Sequence, residues 1–164
     1  MSTTWQQISN TIVVEFSDLD DVSDITIIIL RLFVAAVLGG VLGFERERRG
    51  KAAGIRTHML VAIGSALFVL IPLQAGVSAS DLTRVMQGII TGIGFLGAGA
   101  ILKGDDERDL KGLTTAAGIW LTAAIGVAAG AGQESLAILC TLFALVVLLV
   151  MPKLIDLFET KEKQ

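Results

Sequence analysis

Five long apolar runs dominate this sequence and limit what it can fold into. They lie at about 25–44, 57–77, 82–102, 113–130 and 133–151. A bilayer crossing takes about 20 apolar residues, and each run is close to that length. The first carries only Thr26 and Arg31 as polar interruptions, the third has Arg84 and Gln87 near its start, and the fifth stops at Pro152 and Lys153. Core helices of a soluble protein can be as apolar. Here, however, 53% of 164 residues are hydrophobic and 18% charged, which leaves too little polar sequence to wrap five such helices. In hydrocarbon the backbone must satisfy its own hydrogen bonds, which favours helices. The expected fold is therefore all-α: a polytopic membrane bundle of about five transmembrane helices over 25–151. An outer tail, 1–24, precedes it and a short cytoplasmic tail, 152–164, follows.

The connections carry the orientation. One side collects Arg46, Arg48, Arg49, Lys51, Arg56, Lys103, Arg108, Lys111, Lys153, Lys161 and Lys163; the other holds Arg84 alone, with Arg31 inside the first run. By the positive-inside rule the N-terminus lies outside and the C-terminus in the cytoplasm, and an odd number of spans agrees. The first 24 residues contain no Lys or Arg, so they lack the positive region of a secretory signal peptide. Trp5, Ile8, Ile12 and Phe16 recur there at helical spacing, as in a short interfacial helix. The acidic stretch after them, Glu15, Asp18, Asp20, Asp21 and Asp24, fails as a calcium loop. Counting from Asp18, Val22 stands where an oxygen ligand is needed and Ser23 where glycine is needed.

Gly92, Gly94 and Gly97 form G-x-G-x-x-G, the spacing of a dinucleotide-binding turn. That turn works only between a strand and a helix, where it meets pyrophosphate at the helix N-terminus. Within "VMQGIITGIGFLGAGAIL" no such frame exists, and an open turn at that depth would strand amides in lipid. Neither a nucleotide nor a nucleic acid is an expected partner. Small residues four apart instead share a helix face and let backbones approach. Gly88, Gly92, Gly94, Gly97 and Gly99 in the third run, with Gly39 and Gly43 in the first, are the expected helix-packing positions. Gly118, Gly126 and Gly130 extend the pattern to the fourth. Such faces suit packing within the bundle or association into a homodimer.

Polar groups at membrane depth need a partner or a task. Arg31 lies roughly 9 Å into the first span at helical rise. A pairing of Arg31 with Asp81, with Gln87 as acceptor beside Arg84, would satisfy the outer end. At the inner ends of four spans gather Glu45, Arg46, Arg56, Thr57, His58, Lys103, Thr114 and Thr115, with the threonine hydroxyls placed to cap the fourth helix. This group reads either as helix-end caps or as an inward-facing polar site. His58 reads as a helix-end histidine bonded to a carbonyl, or as a pH sensor. Trp120 is deep enough that its indole N–H calls for an internal acceptor. Cys140 is the only cysteine and reads as a small buried hydrophobe.

Catalytic chemistry finds no support. The lone histidine excludes paired-histidine metal motifs, and a bilayer would separate His58 from Asp81. No enzymatic activity and no resident cofactor are expected. Glu45 and Asp81 are the acidic groups nearest the membrane that a metal such as Mg²⁺ would use.

Four blocks carry a family resemblance: "RLFVAAVLGGVLGFERE" at 31–47, "AGIRTHMLVAIGSALF" at 53–68, "RVMQGIITGIGFLGAGAIL" at 84–102 and "KGLTTAAGIWLTAAIG" at 111–126. In order and spacing the chain resembles the MgtC/SapB family of bacterial inner-membrane proteins. The resemblance implies a five-helix membrane domain and functional polar positions at Arg31, Glu45, Arg46, Arg56, Thr57, His58, Asp81, Arg84 and Gln87. A fourth-span signature at Gly112, Leu113, Thr114, Thr115 and Trp120 also matches. Members resembling the virulence factor carry a further ACT-like cytoplasmic domain. This sequence ends thirteen residues after Met151, which resembles the shorter SapB- and YhiD-like members. The resemblance further implies multi-pass inner-membrane localisation and a link to magnesium homeostasis, acid stress and virulence. Its implied partners are membrane proteins, ATP synthase among them.

Two functions follow as expectations. One is a non-enzymatic regulator that docks another membrane protein or its own copy. The alternative is a channel or transporter for Mg²⁺ or another cation, formed by a homo-oligomer. Absence of any mid-span acidic residue favours the regulator.

Overall fold

The computed structural model describes residues 3–17, 21–103 and 110–162. Asp18, Asp20, Arg108 and Lys163 of the expected tails and loops lie outside these. Six helices occur among the described residues: α1 Thr4–Glu15, α2 Val22–Arg48, α3 Ile55–Gln74, α4 Ala79–Gly99, α5 Leu113–Gly130 and α6 Glu134–Glu162. A two-residue antiparallel ladder, β1 Leu102–Lys103 with β2 Leu110–Lys111, joins α4 to α5. The fold is otherwise all-helical, as the apolar runs require.

The chain forms two units, Met1–Leu30 and Arg31–Gln164. In the first, α1 starts at a capping box: Thr3 Oγ1 accepts from the Gln6 amide at 3.4 Å and Gln6 Oε1 from the Thr3 amide at 3.0 Å. Trp5, Ile8, Ile12 and Phe16 are exposed, as is every residue of α1.

In the second unit, small residues set the spacing of the helices. A side chain at Gly39 would meet the His58 carbonyl oxygen at 2.7 Å, and one at Gly43 would meet Ile55 Cα at 2.6 Å. Only glycine lets α2 lie this close to α3. On α5, a side chain at Gly126 would collide with the Ala62 backbone and one at Gly130 with the Ala66 backbone. His58, Ala62 and Ala66 thus form one stripe along α3, gripped from both sides. Ala35, Leu42, Ala62, Ala66, Ile125, Ala129, Ala137 and Ala144 complete the buried core.

The same register fixes the path of the chain. Gly118 lies beside His58, Gly126 on Ala62 and Gly130 on Ala66, so α3 and α5 run parallel. The chain must therefore return between them. α4 makes that return: a side chain at Gly97, near its end, would lie 3.7 Å from Ala116 Cβ, near the start of α5. At 21 residues α4 is about 32 Å long, the thickness of a hydrocarbon core.

α2, α3, α5 and the Glu134–Ile155 part of α6 are long and apolar enough to cross a membrane. α4 is not among them, because its glycines, Arg84 and Gln87 dilute its hydropathy. α6 also continues through Pro152 to Glu162, past the expected stop. Proline removes one amide donor and strains one turn, but in membrane helices neighbouring groups accommodate it.

Turn chemistry fits the ends. Gly112 has φ +96° and is the residue before α5, and a side chain there would run into the Ala100 carbonyl. The cap of α5 is thus backbone glycine, not Thr114 or Thr115. Thr115 is buried in the first turn and Thr114 exposed.

Candidate functional site

Polar side chains gather at the two ends of the bundle, with different partners from those expected at one end. Arg31 does not pair with Asp81. Its Nη1 donates to the Gly130 carbonyl at 3.0 Å, and its Nε lies 3.8 Å from Glu134 Oε1. The guanidinium sits over Gly132, whose φ of +75° ends α5. A cation there satisfies an orphan carbonyl and complements the helix dipole. Arg31 therefore locks the α5–α6 corner. Asp81 instead belongs to the cap of α4: Ser78 Oγ donates to Asp81 Oδ2 at 2.7 Å. Arg84 and Gln87 are exposed. Trp120 is 47% exposed, and its indole makes no internal hydrogen bond among the described residues, contrary to expectation.

The opposite end holds the deepest polar cluster. α2 delivers Glu45 and Arg46, 7% and 3% exposed, and α3 delivers His58, 1% exposed. Arg46 Nη1 donates to Glu45 Oε2 at 3.3 Å. Arg49 Nε lies 2.5 Å from Glu45 Oε1, an ion pair whose geometry is not that of a hydrogen bond. One carboxylate is thus shared by two guanidinium groups, so one positive charge is left over. His58 Nδ1 lies 3.0 Å from the Gly54 carbonyl. A carbonyl only accepts, so Nδ1 carries the proton and the neutral ring keeps Nε2 as an acceptor.

Three buried polar atoms of Arg46 and His58 have no hydrogen-bond partner among the described residues: Arg46 Nε, Arg46 Nη2 and His58 Nε2. Both side chains line a cavity of about 330 Å³ with Thr114 and Gly118 of α5 and Cys140, Phe143 and Val147 of α6. Cys140 is accordingly half-buried at a cavity wall, not enclosed in the core. Arg56 and Thr57, expected in the same group, point outward and are exposed. Glu47 was not singled out by the sequence, yet its Oε2 accepts from the Ile55 amide at 2.8 Å and caps α3, whose preceding residue, Gly54, has no side chain to do so. A carboxylate eight residues before a helix start carries no local capping signature; only the close α2–α3 hairpin reveals it.

The expected packing glycines divide sharply. Gly39, Gly43, Gly126 and Gly130 meet backbone or side-chain atoms of neighbouring helices, and Gly97 meets Ala116. A side chain at Gly88, Gly92, Gly94 or Gly99 of α4 would meet nothing within 4 Å among the described residues. Gly64, Gly88 and Gly92 line an open apolar groove of about 660 Å³ between α3 and α4. No three His, Cys, Asp or Glu side chains gather as a metal site among the described residues. Glu45 and Asp81 sit at opposite ends of the bundle.

Comparison with known proteins shows the family of the chain. The profile of the MgtC family matches residues 32–157. Protein SrpB of Synechococcus elongatus is 46% identical over 129 residues, covering 72% of this chain and 71% of that protein. A protein of Escherichia coli K12 named putative magnesium transporter YhiD is 43% identical over 133 residues, 77% of this chain and 61% of that protein. Protein MgtC of Brucella abortus is 44% identical over 125 residues, 76% of this chain and 51% of that protein. The matched region thus spans from about half to seven-tenths of these relatives' lengths. No solved structure matches the chain significantly.

Proposed function

The chain belongs to the MgtC family of membrane proteins, and from that premise we propose that it is a non-enzymatic regulator in the bacterial inner membrane. It crosses the bilayer five times, N-terminus outside and C-terminus in the cytoplasm. The parallel course of α3 and α5, which requires α4 to return between them, supports the fifth span. The gathering of basic residues at one end supports the orientation. Its setting is ion homeostasis under magnesium or acid stress, in keeping with the family resemblance.

One observation carries the regulatory reading. The glycines of α2 and α5 are filled by neighbouring helices, whereas Gly88, Gly92, Gly94 and Gly99 of α4 stand open. Gly88, Gly92 and Gly99 lie within about 40° of one another around α4, with Gly94 on another face, and a flat face of this kind in lipid suits close docking of another membrane helix, from a partner protein or a second copy. A photo-crosslinking side chain at position 92, compared with one at the exposed Leu139 of α6, tests this in native membranes. A discrete protein adduct from position 92 alone is expected. Equal, diffuse labelling from both positions contradicts it.

The name of the Escherichia coli relative, putative magnesium transporter, favours a cation path as the second reading. Against it stands Glu45, whose charge is already taken by Arg46 and Arg49. Liposomes holding the purified protein separate the two. Mg²⁺ flux above empty vesicles that disappears on Asp81→Asn establishes transport; flux equal to empty vesicles supports the regulator.

A further inference from the structure

Beside the cavity that Arg46 and His58 line, Arg46 Nε and Nη2 and His58 Nε2 lie covered from solvent, next to a surplus charge, with no hydrogen-bond partner among the described residues. A buried guanidinium edge without a partner costs free energy in any protein, and more at the margin of a bilayer. From this geometry we infer that the cavity binds an anionic phospholipid, whose phosphate oxygens accept from Arg46 Nε and Nη2 and whose headgroup hydroxyl donates to His58 Nε2.

The chemistry selects that class. Arg46 presents two N–H groups on one planar edge, the arrangement that suits a phosphate oxyanion. Glu45 neutralises only one of Arg46 and Arg49, so an anion balances the cluster, while a headgroup bearing an ammonium would return the positive charge. His58 Nε2 calls for a donor, because Nδ1–H is committed to Gly54. A phosphodiester alone is acceptor-only, but a glycerol headgroup adds the hydroxyl. Phosphatidylglycerol meets all three demands.

The cavity also points to a lipid over a free ion. Its volume, about 330 Å³, is that of a small-molecule site, and its remaining walls are apolar. Phe143 and Val147 line it and are also 65% and 55% exposed on the outer face of α6, so an acyl chain can lie along them. Its place at the end of the bundle where basic residues collect is where anionic headgroups meet cationic pockets between helices. The inference holds whether or not α4 docks a partner.

Native mass spectrometry of the full chain in detergent, titrated with phosphatidylglycerol or phosphatidylethanolamine, reads retention directly. A parallel thermal melt with each lipid, or with inorganic phosphate alone, reads protection. One phosphatidylglycerol per chain is expected, held about tenfold or more tightly than phosphatidylethanolamine, with no protection by phosphate. Arg46→Gln should abolish the preference. Because that variant disturbs a buried ion pair, Gly118→Val supplies a second arm: it leaves every charge in place and adds carbon where only His58 Nε2 lies near, 3.6 Å from the new Cβ. It should fold and lose the lipid. Equal retention of both lipids, full retention by both variants, or protection by phosphate equal to that by phosphatidylglycerol overturns the assignment.

Discussion

Gly126→Ala probes the close packing of α3 on α5. The added methyl would strike the Ala62 carbonyl oxygen, with Ala62 Cα at 2.9 Å and C at 3.0 Å. Carbon atoms settle at about 3.5–4.0 Å, so the two helices must part by at least roughly 0.6 Å, and by more to clear the carbonyl oxygen. Because the obstacle is backbone, no rotamer change relieves it. Overpacking costs about 1–3 kcal/mol, and a backbone clash belongs near the upper figure. Alanine offsets about 1 kcal/mol through its better helix propensity. The net expectation is a loss of about 2 kcal/mol, a change of roughly thirtyfold in the folded-to-unfolded ratio. Gly88→Ala is the control, since nothing lies within 4 Å of its new methyl. It should be neutral or gain up to about 1 kcal/mol. Reversible unfolding in mixed detergent and dodecyl sulfate micelles, followed by circular dichroism, measures both. Gly126→Ala as stable as the parent, or Gly88→Ala equally destabilised, refutes the packing argument.

Two further outcomes follow from the polar ends. Arg31→Gln should cost about 1–2 kcal/mol in the same assay by freeing the Gly130 carbonyl and the α5 terminus, whereas Glu134→Gln, which loses only a partly exposed pair, should cost at most about 1 kcal/mol. Glu45→Gln leaves two guanidinium groups without their shared carboxylate, one of them 3% exposed, and should cost about 3–5 kcal/mol, seen as a lowered melting temperature in detergent.

Much of the fold was legible because a helix in lipid announces itself by length and composition. The runs at 57–77 and 113–130 correspond to α3, Ile55–Gln74, and α5, Leu113–Gly130. The convergence of Glu45, Arg46 and His58 was legible too, since all three lie at helix ends on the same side. Partner choice was not. Arg31 and Asp81 share an end of the bundle, but which helix lies beside Arg31 depends on packing, and the α5–α6 corner with Gly132 and Glu134 occupies that place. Glycine spacing likewise marks a flat face without saying what covers it: Gly126 is filled by Ala62, while Gly92 stands open. Trp120 faces outward, and depth along a helix says nothing of rotation about it. Pro152 was misjudged because a rule drawn from water-exposed helices overstates its power to end one in lipid.

The five-span bundle requires α4 to cross the bilayer despite its diluted hydropathy. In a Cys140→Ser background, single cysteines at Ser78, before α4, and at Lys111, before α5, can be labelled in intact cells with a membrane-impermeant thiol reagent. Labelling at 78 from outside, and at 111 only after the membrane is opened, is the predicted result. Labelling of both positions from the same side would mean that α4 does not cross, and the five-span bundle would be wrong.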